Sequence, residues 1–320
     1  MKVAIGVITF RRPKPLSVLL ASLQERMELG IAELSSVIIV DNDPERSAHE
    51  VVANFAASAG FVVEYVNEPR PGVSAARNAL VEAAGSAHWL VMVDDDEEIV
   101  EGWPSELIRV GEERQATLVC GPVLADTGAM DLPEWMKDEK FFGRGVLAEG
   151  AHVEFVPSGN CAISLERVQR VERPLFDERF GLTGGSDSFL TARVLALGGV
   201  TAFAPGAITS ERYPADRLTL KWLNRRWRRS GATLVAIDDA MGRLDSKGKI
   251  RTAGKGIARF GVAAYLAATS LWKQPRQAQL WAASRQTMLA VGTFKALRGW
   301  EPNSYGPGGT ETAPGSGPDS

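Results

Sequence analysis

An apolar run that stops in acid, Val91-Met92-Val93-Asp94-Asp95-Asp96-Glu97-Glu98, gathers the carboxylates with the clearest chemical potential in this chain. Crowding like charges costs Coulomb repulsion unless a cation sits among them. Carboxylate oxygens suit Mg2+ or Mn2+, which keep a few protein ligands and take the rest from phosphate and water. A solvated acidic turn is the competing reading. A further acid, Asp41, ends another apolar run in Val40-Asp41-Asn42-Asp43-Pro44. It could accept hydrogen bonds from a base or ribose, or simply form a turn. Between them lies Asn67-Glu68-Pro69-Arg70-Pro71-Gly72-Val73-Ser74-Ala75-Ala76-Arg77-Asn78. Gly72 permits a tight bend, Ser74 could cap a helix, and Arg77 in its first turns could answer phosphate charge or orient the aspartates.

These residues need a frame, and the pattern supplies one. Strands are expected at Val3–Thr9, Ser36–Val40, Val62–Val66 and Trp89–Val93, alternating with helices over Leu16–Leu29, Glu50–Ala59 and Ser74–Ala84. That alternation predicts an α/β fold, a Rossmann-like and mostly parallel sheet with helices on both faces. Ligands then bind at the carboxyl ends of the strands, where the acids fall. Beyond Asp96 the pattern gives a helix over Glu101–Arg114, strands at Thr117–Val123 and Phe155–Leu165, and helices at Asp187–Leu197 and Leu218–Arg229. Two more helices, Gly254–Trp272 and Arg276–Arg298, break at Pro275. Residues 301–320, rich in Gly, Pro, Ser and Thr, read as a disordered tail.

Composition narrows the function classes. Two cysteines and three histidines, none at ligand spacing, give no zinc site and no disulfide framework. The apolar start is followed by Arg11-Arg12, the reverse of a secretory signal, and no run approaches the ~20 apolar residues of a spanning helix. A cytoplasmic chain is the expectation. The net charge of −3 conceals a split: residues 1–216 carry 19 Lys+Arg against 33 Asp+Glu, whereas residues 217–300 carry 17 against 3. An acidic domain is followed by a segment that seeks an anionic surface, either nucleic acid or a membrane leaflet.

Thr9-Phe10-Arg11-Arg12-Pro13, Val40-Asp41-Asn42, Gly72-Val73-Ser74-Ala75-Ala76-Arg77-Asn78 and Val93-Asp94-Asp95-Asp96 resemble, in order and spacing, the family 2 glycosyltransferases with the GT-A fold. Within that family the chain is similar to bacterial exopolysaccharide enzymes of the succinoglycan β-glucosyltransferase kind. The resemblance covers about residues 1–230. It implies a nucleotide-diphosphate sugar donor, UDP-glucose or a related UDP-hexose, contacted by Thr9, Arg11, Asp41, Arg77, Asp94, Asp95 and Asn160. It also implies Asp94 and Asp96 as the D-x-D pair for Mn2+ or Mg2+. Gly184-Gly185-Ser186-Asp187 matches the family's Gly-Gly-Glu-Asp stretch, so Asp187 becomes the base that takes a proton from the attacking hydroxyl in an inverting transfer. Capping is its competing role. Ser186 stands where Glu is common, the sole support for an alternative, a non-catalytic nucleotide-sugar-binding subunit tethering a glycan-assembly complex. A sugar nucleotidylyltransferase is disfavoured, because no glycine-rich loop follows the first strand.

The acceptor would be polyprenyl-diphosphate-linked or an oligosaccharide, with Glu211, Trp135 and Trp222 as weaker candidates for contacting it. Over Leu218–Arg229 an apolar face (Leu220, Leu223, Trp227) opposes Lys221, Arg225, Arg228 and Arg229. Ile257, Phe260, Val262, Tyr265, Leu266, Leu271 and Trp272 follow, edged by basic residues. This pattern fits an in-plane anchor on the inner face of the cell membrane, or equally a helical pair packed on the catalytic domain. The expected organisation is a catalytic domain over 1–230, a basic amphipathic region over 231–300 and the tail. A membrane, not nucleic acid, is the expected anionic partner.

Overall fold

The computed structural model describes residues 1–26, 33–128, 130–133, 136 and 146–301. The first strand, β1 (Lys2–Thr9), is buried almost throughout, as its unbroken Val/Ile run requires of a strand covered on both faces. There follow α1 (Pro13–Arg26), β2 (Glu33–Asp41), α2 (His49–Ser58), β3 (Val63–Asn67), α3 (Val73–Ala83) and β4 (Trp89–Asp94). Next come β5 (Glu97–Ile99), α4 (Trp103–Glu113), β6 (Leu118–Cys120), β7 (Val123–Asp126), β8 (Asn160–Ser164), α5 (Ser186–Ala196), β9 (Thr201–Phe203) and β10 (Thr209–Arg212). Three long helices close the described chain: α6 (Leu220–Ala240), α7 (Ser246–Thr269) and α8 (Arg276–Ala296).

The main sheet has the order β3-β2-β1-β4-β8-β6-β9 and is parallel except for β8, which runs against both β4 and β6. One apolar layer packs α1, α2 and α4 on one face, including Leu19, Leu23, Val52, Trp103 and Leu107. The other packs α3, α5 and the 165–176 segment, including Leu80, Leu175, Phe176 and Leu190. The chain leaves β1 outward to β2 and β3, then returns to β4 on β1's other side. Strand order therefore reverses between β1 and β4, the place where open α/β sheets form their ligand crevice.

A second sheet, β5-β10-β7, is absent from the pattern expected above. Glu97-Glu98 reads as the end of an acid run yet pairs with β10, and the expected strand Thr117–Val123 divides into β6 and β7. Helix α3 begins at Gly72, whose φ of 119° only glycine tolerates readily. Ser74 does not cap it but donates to the Asp177 carbonyl at 2.9 Å, while Asn78 makes two bonds to the Phe176 backbone. These bonds rivet α3 to the segment that leads into α5.

The described residues fall into two units: one holds the residues up to Asp126 and from 146 to Arg212, the other those between Thr127 and Met136 together with those from Tyr213 on. In the second, α8 packs against both α6 and α7. Helix α6 continues past the expected stop at Arg229, because Gly231 meets the Leu289 backbone and Gly292 meets that of Arg228. At either glycine an added Cβ would collide with a carbonyl oxygen. Helix α7 starts earlier than expected, at Ser246, where the Asp245 side chain accepts from Gly248 N at 2.7 Å. The expected disordered tail lies outside the described residues apart from Glu301, as does Trp135.

Candidate active site

Parallel register brings the chemistry to one edge. Thr9 of β1 pairs with Asp41 of β2, Ile8 with Asp94 of β4, and Asp41 in turn with Asn67 of β3. At the reversal point Thr9 Oγ1 donates to Asp95 Oδ2 at 2.7 Å. Arg12 forks across the next two acids, Nη1 to Asp95 Oδ1 and Nη2 to Asp96 Oδ2, each at 2.7 Å. Asp95 is only 5% exposed, and that burial pushes its carboxyl up to about 7 against the pull of Arg12 and Thr9.

Asp94 turns a different way. A Cβ built on Gly159 would lie 2.6 Å from Asp94 Oδ2 and 2.7 Å from Glu97 Oε1, so both carboxylates converge on the space that glycine leaves open. Glu97 is buried, and directly across the β5–β10 pair stands Glu211. Opposite residues in an antiparallel pair share a face, so Glu211 joins Glu97. The acid cluster thus has two parts, Asp95 and Asp96 under Arg12, and Asp94 with Glu97 at Gly159.

Asp41 is fully buried. It accepts from Asp43 N at 3.0 Å, Ala48 N at 2.8 Å and Tyr65 Oη at 3.0 Å, so its oxygens organise the loop after β2. Burial and the bond to Asp41 raise the Tyr65 hydroxyl well above its ordinary value. Asn42 extends this frame: it accepts from Gly72 N and donates to the Glu68 and Arg70 carbonyls, which fixes the start of α3. Arg11 takes a left-handed conformation, φ 55°, and faces Asp43 at 3.2 Å rather than the aspartate triplet.

On α3, Arg77 Nη1 donates to Ser186 Oγ at 2.7 Å, with its guanidinium 5.7 Å over the Phe176 ring. Its Nε is buried with no partner among the described residues. The residue at the unusual position 186 is therefore a buried acceptor for Arg77. Asp187, next to it in the first turn of α5, accepts from Ser188 N at 2.7 Å and lines a crevice with Ser158, Cys161 and Phe176. Buried Cys161 pairs with Met92 of β4 and lines that crevice beside Asp187. Strand β8 therefore stands between β4 and the head of α5.

Asn160 does not join them. It is fully buried, donates to the Pro122 and Ala207 carbonyls at 3.0 and 2.7 Å, and accepts from Trp103 Nε1 at 2.8 Å. Its amide is spent on the frame. Trp222 belongs to the helical unit, where Arg226 stands 5.3 Å over its ring. The sequence reading missed Arg12, Glu97 and Gly159. Arg12 had a visible signal, the doubled arginine, but the choice between the two depends on the positive φ at Arg11. Glu97 and Gly159 had none, since both matter through a pairing made in three dimensions.

Comparisons agree with this geometry. The profile for "Glycosyl transferase family 2" matches residues 4–170. The chain is 31% identical over 239 residues to the succinoglycan biosynthesis protein ExoM of Rhizobium meliloti (strain 1021), covering 73% of this chain and 74% of that protein. Among solved structures, S. aureus TarS aligns with a TM-score of 0.51 at 11% identity, over 92% of this chain and 55% of TarS. GalNAc-T7, solved with UDP, GalNAc and Mn2+, aligns with a TM-score of 0.55 at 12% identity, over 89% of this chain and 54% of its own. The chain thus spans about half the length of those two structures, and the likeness to them is one of fold, GT-A. A reversed strand order with acids at its crevice, a family profile over more than half the chain and an exopolysaccharide relative along most of it agree: the protein belongs to glycosyl transferase family 2.

Proposed function

We propose that the protein transfers a hexose from a uridine diphosphate donor, with inversion at the anomeric carbon, to an oligosaccharide or polyprenyl-diphosphate-linked acceptor in exopolysaccharide assembly. The observation that carries this reading is the place of Cys161, which pairs with Met92 of β4 two residues before Asp94 and lines the same crevice as Asp187. Asp187 accepts the proton of the acceptor hydroxyl as that oxygen attacks, on the sugar face opposite the leaving diphosphate. Arg77, with its unused buried Nε, has donor capacity left for a phosphate oxygen. Thr9 and the Asp41 loop shape the nucleoside end.

Asp94 and Asp96 would hold Mn2+ or Mg2+. The donors are all carboxylate oxygens, the hard type these ions prefer, and Gly159 leaves space beside Asp94. Among the described residues no three His, Cys, Asp or Glu side chains enclose an ion, so the rest of the shell falls to diphosphate and water. A bound ion would neutralise the charge that builds on the departing nucleoside diphosphate.

The acceptor reading extends to an anionic membrane surface. No helix among the described residues is long and apolar enough to cross a membrane. Helix α7 and the turn that follows it nonetheless leave large apolar residues outward: Ile250, Ile257 and Tyr265 on the helix and Leu271 and Trp272 just beyond it are all more than 60% exposed. Its inward side is Gly248, Thr252, Gly256, Ala263 and Thr269. No acid occurs between Asp245 and Glu301. An apolar stripe edged by cations is the form of a helix lying in a lipid interface on the inner side of the cell membrane.

Asp187→Asn tests the core of the proposal. Turnover should fall by about 10²–10⁴-fold while UDP-sugar binding survives; undiminished turnover refutes the assigned base. A tethering subunit without catalysis would keep its cellular role in the same variant. Donor hydrolysis across a panel of nucleotide sugars, with and without Mn2+, identifies the sugar.

A further inference from the structure

Arg12 ties down two acids whose surroundings differ. The Asp95 side chain is 6% exposed, and its second oxygen is held by Thr9 at 2.7 Å. The Asp96 side chain is 16% exposed, and Arg12 itself 29%, so the fork opens to solvent on the Asp96 arm. The Arg12 backbone is fixed where α1 begins, its carbonyl accepting from Leu16 N at 3.2 Å, and its long side chain ends in the two-pronged contact with Asp95 and Asp96. A guanidinium pairs with phosphate by the same two-pronged geometry it uses on carboxylate. An ion that uses Asp96 therefore meets an acid already neutralised by a tethered cation.

We propose that Arg12 is a positioning residue that works by exchange. Without donor it stands in for the divalent ion at Asp95 and Asp96. When ion and nucleoside diphosphate arrive together, Arg12 keeps Asp95, releases Asp96 and turns the freed arm to a diphosphate oxygen. Arg12 and the ion then compete while the nucleotide is absent and cooperate once it binds. This inference rests on the divalent-ion reading above.

Mn2+ titrations followed by electron paramagnetic resonance, on the full chain with and without UDP, test it. Arg12→Gln keeps length and polarity but loses the charge; circular dichroism confirms the fold. Without UDP, Arg12→Gln should bind Mn2+ about tenfold tighter than the wild type, since a charge of the same sign has left the site. Arg12→Lys should fall between, because one ammonium cannot fork two carboxylates, and it decides the matter if the glutamine variant does not fold. With UDP present the advantage should vanish or reverse, the phosphate contact being lost. Wild type that takes up Mn2+ while both variants only match it, or bind it more weakly without UDP, overturns the exchange alone. Wild type that takes up no Mn2+ even with UDP overturns the ion reading and the exchange with it.

Discussion

Replacing Gly159 with alanine probes the acid cluster with a single methyl. The backbone there is not left-handed, so alanine meets no torsional obstacle, and the whole effect comes from space. The new Cβ would stand 2.6 Å from Asp94 Oδ2 and 2.7 Å from Glu97 Oε1, closer than the 3.0 Å that real Cβ atoms keep. Each carboxylate must retreat by roughly 0.3–0.4 Å at least. Glu97 is buried and sits in a strand, so little of that retreat is free. Overpacking of this kind costs about 1–3 kcal/mol. For a unit near 200 residues that lowers Tm by about 2–4 °C per kcal/mol. Activity should fall further than stability, by about 10–100-fold, because Asp94, an ion holder in the function proposed above, would lose alignment with the diphosphate. Melting curves and Mn2+-dependent donor hydrolysis supply the two readings. Gly60→Ala, where an added Cβ meets nothing within 4 Å, is the control. Wild-type turnover and Tm in Gly159→Ala would refute the placement of Asp94 and Glu97 around that residue.

Two more outcomes follow from other parts of the structure. In metal-free buffer the buried Asp95 carboxyl is pushed up to about 7 from an ordinary 3.8, so its contribution to stability is full below pH 3.8 and lost as pH rises through about 7. The Tm of Asp95→Asn minus that of wild type should therefore grow between pH 4 and 7.5; a flat or falling difference contradicts the raised value. In the turn just after α7, Leu271→Ser with Trp272→Ser removes two outward apolar residues, 69% and 67% exposed. Flotation with vesicles containing phosphatidylglycerol should drop sharply while donor hydrolysis in solution stays unchanged, and retention of full flotation would exclude this face.

Sequence patterning revealed most of the sheet because its central strands are apolar runs that stop in acid. Asp41 and Asp94 could be placed on one edge from that alone. Burial could not be read in the same way. Asp41 and Asn160 have the residue types of ligand contacts, yet both spend their polar atoms inside the protein. The strand Glu97–Ile99 was hidden because its partner, Thr209–Arg212, lies more than a hundred residues away. The expected boundary at residue 230 followed the extent of the family resemblance and falls inside helix α6. There Gly231 lets α8 pass close by, and the helix runs on from Leu220 to Ala240.

The seams among the last three helices have a consequence for how this protein can diverge. Gly231 and Gly292 bring main chain against main chain, and on α7 Gly256 leaves room for the Phe294 ring of α8, which stacks on Phe260. Cohesion therefore resides in these close seams and the side chains buried between them, while Ile250, Ile257, Tyr265, Leu271 and Trp272 stay more than 60% exposed. Selection is free to rewrite that outer stripe for a new docking address while the bundle beneath it stays as it is.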